Sequence, residues 1–353
     1  MLLLDLRPAE VGGTSRKSVT SLAQVGRFEF WSDRFNLIKE KPLIYWWNDE
    51  FLRRYAEAPK LGDETDVRVG MQTANNPRFL RRPWEIQFNH LFIGLCKNNF
   101  VACSDKKWVP YIKGAAGKIW FEPLSDIILW QNSTLEKQVV FDHYGSNGVG
   151  NGLPSRHLYF QKGVAVAAIG ANLSGRVHRF RSVMDIMGQS VFPKNVAQTV
   201  CLLNSHFAQI VLGSLNPTVH FQAGDIKRLP LFPIESADEI FTQLDEAFTE
   251  HEAARETSVE FRQPAPSAWN YAQTWAQTAV DREPGTPLPP YQPTYEQPPA
   301  TNHISYALGV ALCRFDKNGT GIITAPSVEK KHCTPTPYPT AFYIFPPTAT
   351  TTA

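Results

Sequence analysis

Cysteine is scarce in this chain, with five in 353 residues, and Cys96, Cys103, Cys201, Cys313 and Cys333 form neither a Cys-x-x-Cys pair nor a Cys/His ligand spacing. The pattern excludes a disulfide-built scaffold and a zinc site, and reduced thiols are the expectation. Long apolar runs are missing too. No segment approaches the roughly 18 apolar residues of a membrane span, and the opening Met1-Leu2-Leu3-Leu4 is broken by Asp5 too early for a signal peptide. A soluble cytoplasmic protein with no membrane partner and no bound metal is therefore expected. Catalytic signatures are equally sparse: the nine histidines are scattered, and neither His-Glu-x-x-His nor Gly-x-Ser-x-Gly occurs. No catalytic residue is assigned.

What is present begins with 43% hydrophobic residues, enough to build a core of ordinary globular size. The formal charge of +2 conceals a strong asymmetry. Residues 151 to 230 carry Arg156, Lys162, Arg176, Arg179, Arg181, Lys194, Lys227 and Arg228 against Asp185 and Asp225, whereas 231 to 260 are acidic with Arg255 alone in opposition. A polyanion responds to the local field, so this distribution matters more than the overall charge.

The sequence texture predicts an α+β chain. Residues 1–35 read as a loosely ordered lead-in, and 36–60 as a connecting segment whose helix is capped by Asn48 or Asp49. Residues 66 to 193, within a domain read as 61–235, carry short apolar segments broken by Gly, Pro and Asn, which predicts a curved mixed sheet, and Gly145 to Gly152 reads as a flexible loop. Val196, Val200, Leu203, Phe207, Ile210 and Val211 predict one long helix from Asn195 to Gly213. Helices from Ala237 to about Glu256 and from Ser267 to Val280 fill 236–283; a proline-rich linker (284–301), a helix and turn (302–325) and a low-complexity tail (326–353) follow. Asp316-Lys317-Asn318-Gly319 imitates the start of a calcium loop, but Ser327 stands where a bidentate Glu is required, so a plain turn is predicted.

Site-specific DNA recognition needs cations to fix phosphates and Arg, Asn or Gln to read base edges. Residues 68 to 82 supply Arg68, Gln72, Asn75, Asn76, Arg78, Arg81 and Arg82, with no carboxylate between Asp66 and Glu85. A solvated basic loop is the plainer alternative. In a second patch, Arg176 and His178 alternate with Arg179 and Arg181, so both strand faces carry charge and one must meet solvent, carboxylates or phosphate. Pairing with the acidic helix near 237–256 competes there with DNA contact. Aromatic residues interleave with lysines from Trp84 to Phe121, a pattern suited to stacking on nucleic acid; most of these rings should fill the core, leaving Trp108 and Trp120 as candidates.

Several separated strings carry a resemblance. Pro42-Leu43-Ile44-Tyr45-Trp46, Gly70-Met71-Gln72-Thr73, Lys107 to Gly114, Asn216-Pro217-Thr218 through Leu229-Pro230, Arg255 to Phe261 and Ala307 to Asp316 occur in an order that resembles the PglX-like adenine-specific methyltransferases of BREX phage-defence systems. The likeness covers residues 36 to 325 and extends more distantly to restriction-modification enzymes. It departs at Ala74, where the family usually has glycine, which puts a left-handed turn there in doubt.

The resemblance implies a target-recognition part at 61–235 that binds double-stranded DNA for an N6-adenine methyltransferase. Such enzymes use S-adenosylmethionine and hold a flipped adenine with an Asn-Pro-Pro-Tyr/Phe motif. This sequence has no such motif: Asn76-Pro77-Arg78-Phe79 and Leu288-Pro289-Pro290-Tyr291 are the nearest strings. A chain without a cofactor of its own is expected, partnered by a catalytic domain or other defence-complex subunits. The implied DNA-binding residues are Arg68, Gln72, Thr73, Asn76, Arg78, Arg81, Arg82, Trp108, Lys113, Arg176, Arg179, Arg181, Gln222 and Lys227. A non-catalytic protein-interaction module is the alternative.

Overall fold

The computed structural model describes residues 36–38, 42, 44, 46–94, 106–114, 117–134, 153–167, 173–216, 218 and 220–323. The lead-in 1–35, the Gly145 to Gly152 stretch and the tail 326–353 lie outside the described residues. In chain order the helices are α1 (Asp49–Glu57), α2 (Leu61–Glu64), α3 (Asn76–Phe79), α4 (Val196–Asn204), α5 (His206–Leu215), α6 (Ala223–Lys227), α7 (Ala237–Ala254), α8 (Trp269–Val280) and α9 (Ala300–Ala311). The strands are β1 (Asp66–Arg68), β2 (Leu80–Arg81), β3 (Trp108–Ile112), β4 (Asp126–Leu129), β5 (Val164–Ala167), β6 (Gly175–Val177), β7 (Val183–Met184) and β8 (Gly188–Phe192). The fold is α+β.

The strands form two four-stranded sheets, not the single curved sheet predicted. The first, β1-β8-β5-β6, is antiparallel throughout; the second, β2-β4-β3-β7, has one parallel pair, β3 with β7. Consecutive strands β7 and β8 belong to different sheets, so the tight turn at 185–187 carries the chain from one to the other.

Helices cover the first sheet. Strand β5 is buried along its whole length, its valines packing in the same core as Val200, Leu203, Leu244 and Phe248 of α4 and α7. That core runs from Ile38 to Val280, so the helices of 236–283 share it with the sheet. Helix α4 sits close enough to β6 that a Cβ on Gly175 would lie 2.9 Å from Leu203 Cβ. Buried Asn204 exploits the approach: its Oδ1 accepts from Gly175 N–H at 2.9 Å and its Nδ2 donates to Gly175 O at 2.9 Å. Smaller clusters around Val109, Ile128 and Val183, and around Ile127 and Phe180, fill the space beside the second sheet.

The single helix predicted from Asn195 to Gly213 is two helices bent by 67° at Ser205. Apolar residues continue on both sides of the bend, so their spacing does not mark it. Ser205 leaves the helical region (φ −70, ψ 147) and its Oγ accepts from Ala208 N–H at 3.1 Å, acting as a new N-cap. Asp281 accepts from the adjacent His206 N–H at 2.6 Å. No single described helix is long and apolar enough to cross a membrane.

The proline-rich segment is extended, as its composition predicts, but it is a fastened strap and not a loose linker. Trp275 Nε1 donates to Pro289 O at 3.0 Å, Tyr291 meets the Trp275 ring at 4.9 Å between centroids, and Ser267 pairs with Glu296 as a bridge. Restricted proline backbone loses little entropy on docking, so a few ring contacts suffice. Asn48 caps α1 through Phe51 N–H at 2.7 Å. Asp316 to Gly321 forms a turn closed by Gly319 N–H to Asp316 O at 3.1 Å. Cys201 is a free buried thiol whose pKa is pushed up to about 12 by burial.

Two stability measurements follow. Replacing Asn204 by Leu leaves the Gly175 amide buried without its acceptor, and urea denaturation should show a loss of about 1–3 kcal/mol with an unchanged m-value; a loss within error of zero would contradict the pin. His178 is fully buried beside Ser190 Oγ, and burial holds its imidazole down at about 4. Its folded value lies below its unfolded one, so its contribution is complete above about pH 6.5 and falls as pH drops towards 4, by about 3 kcal/mol in total. The raised carboxyls of Glu122 and Asp185 act in the opposite sense. Comparison with His178→Gln isolates the histidine: the variant should lose less stability than the parent between pH 7 and 4.5, and equal losses would refute the assignment.

Candidate nucleic-acid interface

The basic segment at 70–82 is displayed by a sequence of local constraints. Beyond β1, Met71 bridges Asp185 in parallel; Gly70 N–H donates to Asp185 O at 3.2 Å and Met71 N–H to Met184 O at 2.9 Å. A Cβ on Gly70 would sit 1.8 Å from Met184 O, so only glycine fits. Ala74 adopts φ 58, so the left-handed turn forms on alanine despite the missing glycine, at a cost of roughly 1–2 kcal/mol. Asn75 then caps α3 by accepting from Arg78 N–H at 3.2 Å, and Pro77 opens the helix where its lost N–H is harmless. Buried Thr73 donates through Oγ1 to Asn76 Oδ1.

From there β2 turns the arginines along the second sheet. Arg81 donates to Pro77 O and Leu80 O, both at 2.6 Å, and lies over the Trp108 ring. Arg82 and Lys113 converge on Asp126, at 3.3 and 3.9 Å. Gln72, Asn76, Arg78 and Arg82 are exposed, as is Arg68, which pairs with Asp66 at 3.0 Å. The structure thus brings Gln72, Thr73, Asn76, Arg78, Arg81, Arg82, Trp108 and Lys113 onto and around one sheet.

The second basic patch does not join them as a surface. Arg176 is 1% exposed; its guanidinium pairs with Glu122 and donates to Lys113 O at 2.8 Å. Burial raises the Glu122 carboxyl and Arg176 only partly offsets this. Arg179 grips Glu260 with two bonds, 2.6 and 2.8 Å, approaches Asp245 at 3.3 Å and lies over Phe248. Arg181 donates to Phe160 O at 2.9 Å. DNA contact by Arg176 and Arg179 is therefore corrected: both are interior cations held by carboxylates, and Arg179 reaches the acidic helix α7 that competed for it. Trp108 and Trp120 are likewise buried, at 7% and 0% exposure, and offer no face for base stacking.

Gln222 and Lys227 sit apart on α6, which packs on α2 and β1. Gln222 is exposed, and the preceding carbonyl, Phe221 O, accepts from Gln189 Nε2 at 2.7 Å. The conspicuous Asn216-Pro217-Thr218 string is a staple: Asn216 donates to His220 O and Asp225 Oδ2, and its Oδ1 accepts from Thr218. Sequence reasoning missed Asp126, which gathers two cations, and Asp185, which fixes the β7–β8 turn. The Asp-x-x-Gly spacing of Asp185 and Gly188 was the available signal for the turn.

A cleft of about 570 Å³ lies between α7 and the proline strap, lined by Asp238, Glu239, Thr242, Trp275, Pro290 and Tyr291 among others. No glycine-rich turn from a strand into a helix borders it, so its lining does not suit S-adenosylmethionine, and methyl transfer is not assigned to it. No cluster of three or more potential metal ligands occurs among the described residues.

No family model matches the chain. Two curated proteins are similar to it in part. The adenine-specific methyltransferase PglX of Lacticaseibacillus casei (strain Zhang) is 29% identical over 208 residues, covering 56% of this chain and 17% of that protein. The adenine-specific methyltransferase BrxX of Escherichia coli O9:H4 (strain HS) is 27% identical over 206 residues, covering 56% of this chain and 15% of that protein. The matched stretch is thus a small fraction of each relative's length. Over that part of its sequence the chain is PglX/BrxX-like, similar to adenine-specific methyltransferases.

Proposed function

We propose that this chain selects the DNA site for an N6-adenine methyltransferase of a phage-defence or restriction-modification system. A separate catalytic domain carrying S-adenosylmethionine performs the transfer, and the two meet in the cytoplasm. The observation that carries this reading is the run between Asp66 and Glu85, free of carboxylates and rich in Arg, Asn and Gln, presented on a braced sheet. Arg68, Arg78, Arg81 and Arg82 act on phosphates or guanine edges, Gln72, Asn76 and Gln222 on adenine-type edges or amide bridging, and Lys113 and Lys227 on the DNA backbone. Arg82 holds Asp126 with its own side chain 47% exposed, which leaves the guanidinium within reach of a phosphate.

A second reading has its own support. Arg176, Arg179, Trp108 and Trp120 are interior groups, which favours a protein-interaction module of a defence complex. Salt dependence separates the two. Binding to duplex DNA should weaken by about 0.9 log unit per log unit of salt for each phosphate neutralised, and Arg78→Ala/Arg82→Ala should lower that slope by about two. Absence of duplex binding at low salt would contradict site selection and leave the interaction module.

A further inference from the structure

The turn between β7 and β8 departs from ordinary turn chemistry. Its residues are Asp185-Ile186-Met187-Gly188, and Gly188 N–H donates to Asp185 O at 3.2 Å. Asp in first position and Gly in last are what a tight turn favours, and that closure requires nothing apolar between them. Water-facing turn positions usually hold Gly, Asn, Asp or Ser. Here Ile186 is 36% and Met187 40% exposed, two large apolar side chains side by side at the tip of a turn that passes between the two sheets.

The tip is braced on both flanks. The Tyr111 hydroxyl donates to Met71 O at 3.2 Å, fixing the strand that flanks the turn. Asp185 N–H donates to Ile112 O at 2.8 Å and Ile186 N–H to Met71 O at 3.2 Å. Gly114 lies so close that a Cβ there would be 2.4 Å from Met187 O, and one on Gly188 would be 3.0 Å from the Lys113 carbonyl carbon. A backbone locked this tightly presents its apolar side chains without paying to order them on contact.

Three cations lie on or beside strands of the two sheets that the turn joins. Lys113 adjoins Gly188 through its backbone, Arg82 shares Asp126 with Lys113, and Arg68 stands opposite Ser190, two residues beyond the turn. We propose that Ile186 and Met187 form a wedge that enters the base stack of duplex DNA while Lys113, Arg82 and Arg68 hold the phosphates beside it. The inference rests on the DNA-binding reading above and names the residues that deform the bound duplex. Apolar wedges of this kind partly unstack a base step, and the cost depends on the step, so the tip would contribute selectivity without hydrogen-bonding any base.

The test uses the full chain and two short duplexes of one sequence, one fully paired and one with a single abasic site. A gap prepays the unstacking, so the parent protein should bind the abasic duplex about tenfold more tightly. Ile186→Ser/Met187→Ser, with an unchanged thermal midpoint, should keep its affinity for paired DNA and lose the preference. Arg78→Ala/Arg82→Ala should weaken both duplexes alike and keep the preference. A parent protein with no preference, or a serine variant that retains it, overturns the wedge while leaving DNA binding intact. No binding of either duplex by the parent protein overturns both readings.

Discussion

A close meeting of three backbones holds this architecture together. Residues 70–71, 111–114 and 184–188 approach so tightly that side chains are excluded at Gly70 and Gly114. Hydrogen bonds from Met71 to Met184, from Asp185 to Ile112 and from Ile186 to Met71 lock the junction. It joins two sheets that would otherwise be separate layers, because β7 belongs to one and β8 to the other. Everything on the candidate interface hangs from it: the basic segment leaves it at Gln72, Lys113 leaves it at the end of β3, and the apolar tip is part of it.

A second constraint comes from interior charge. Arg176 and Arg179 cannot lose their protons, so burying them requires Glu122, Glu260 and Asp245 as partners. Removing one partner of such a pair costs far more than the pair contributes against an apolar replacement. These contacts tie the sheets to α7 and to the segment around Glu260, which accounts for basic and acidic segments lying apart in sequence and together in space. The charge asymmetry along the chain is in this respect an internal matter as well as an external one.

Parts of the fold were legible because local chemistry decides them. Asn48 caps α1, the acidic α7 buries Ile240, Leu244 and Phe248, and the apolar period marks α4 and α5. The break at Ser205 was hidden because a cap needs one hydroxyl and apolar residues continue on both sides of it. The division into two sheets was hidden because strand partners of two to five residues are chosen by long-range pairing, which no local pattern encodes. Among site residues, the segment at 68–82 could be read from its lack of carboxylates. Arg176 and Arg179 could not, since an arginine bound for phosphate and one bound for a buried glutamate look the same in sequence. The exposure of Ile186 and Met187 has no sequence signal, because an apolar pair between strands has the same composition whether it faces the core or water.

The account assigns one face of the molecule to DNA and gives the interior cations a purely structural role. Amide hydrogen exchange of the full chain with and without duplex DNA tests that division directly. Slower exchange is predicted in residues 72–82, 112–114 and 185–188, with no change around Arg179 or along α7. Slower exchange confined to α7 and the proline strap, or none in any segment, would contradict it.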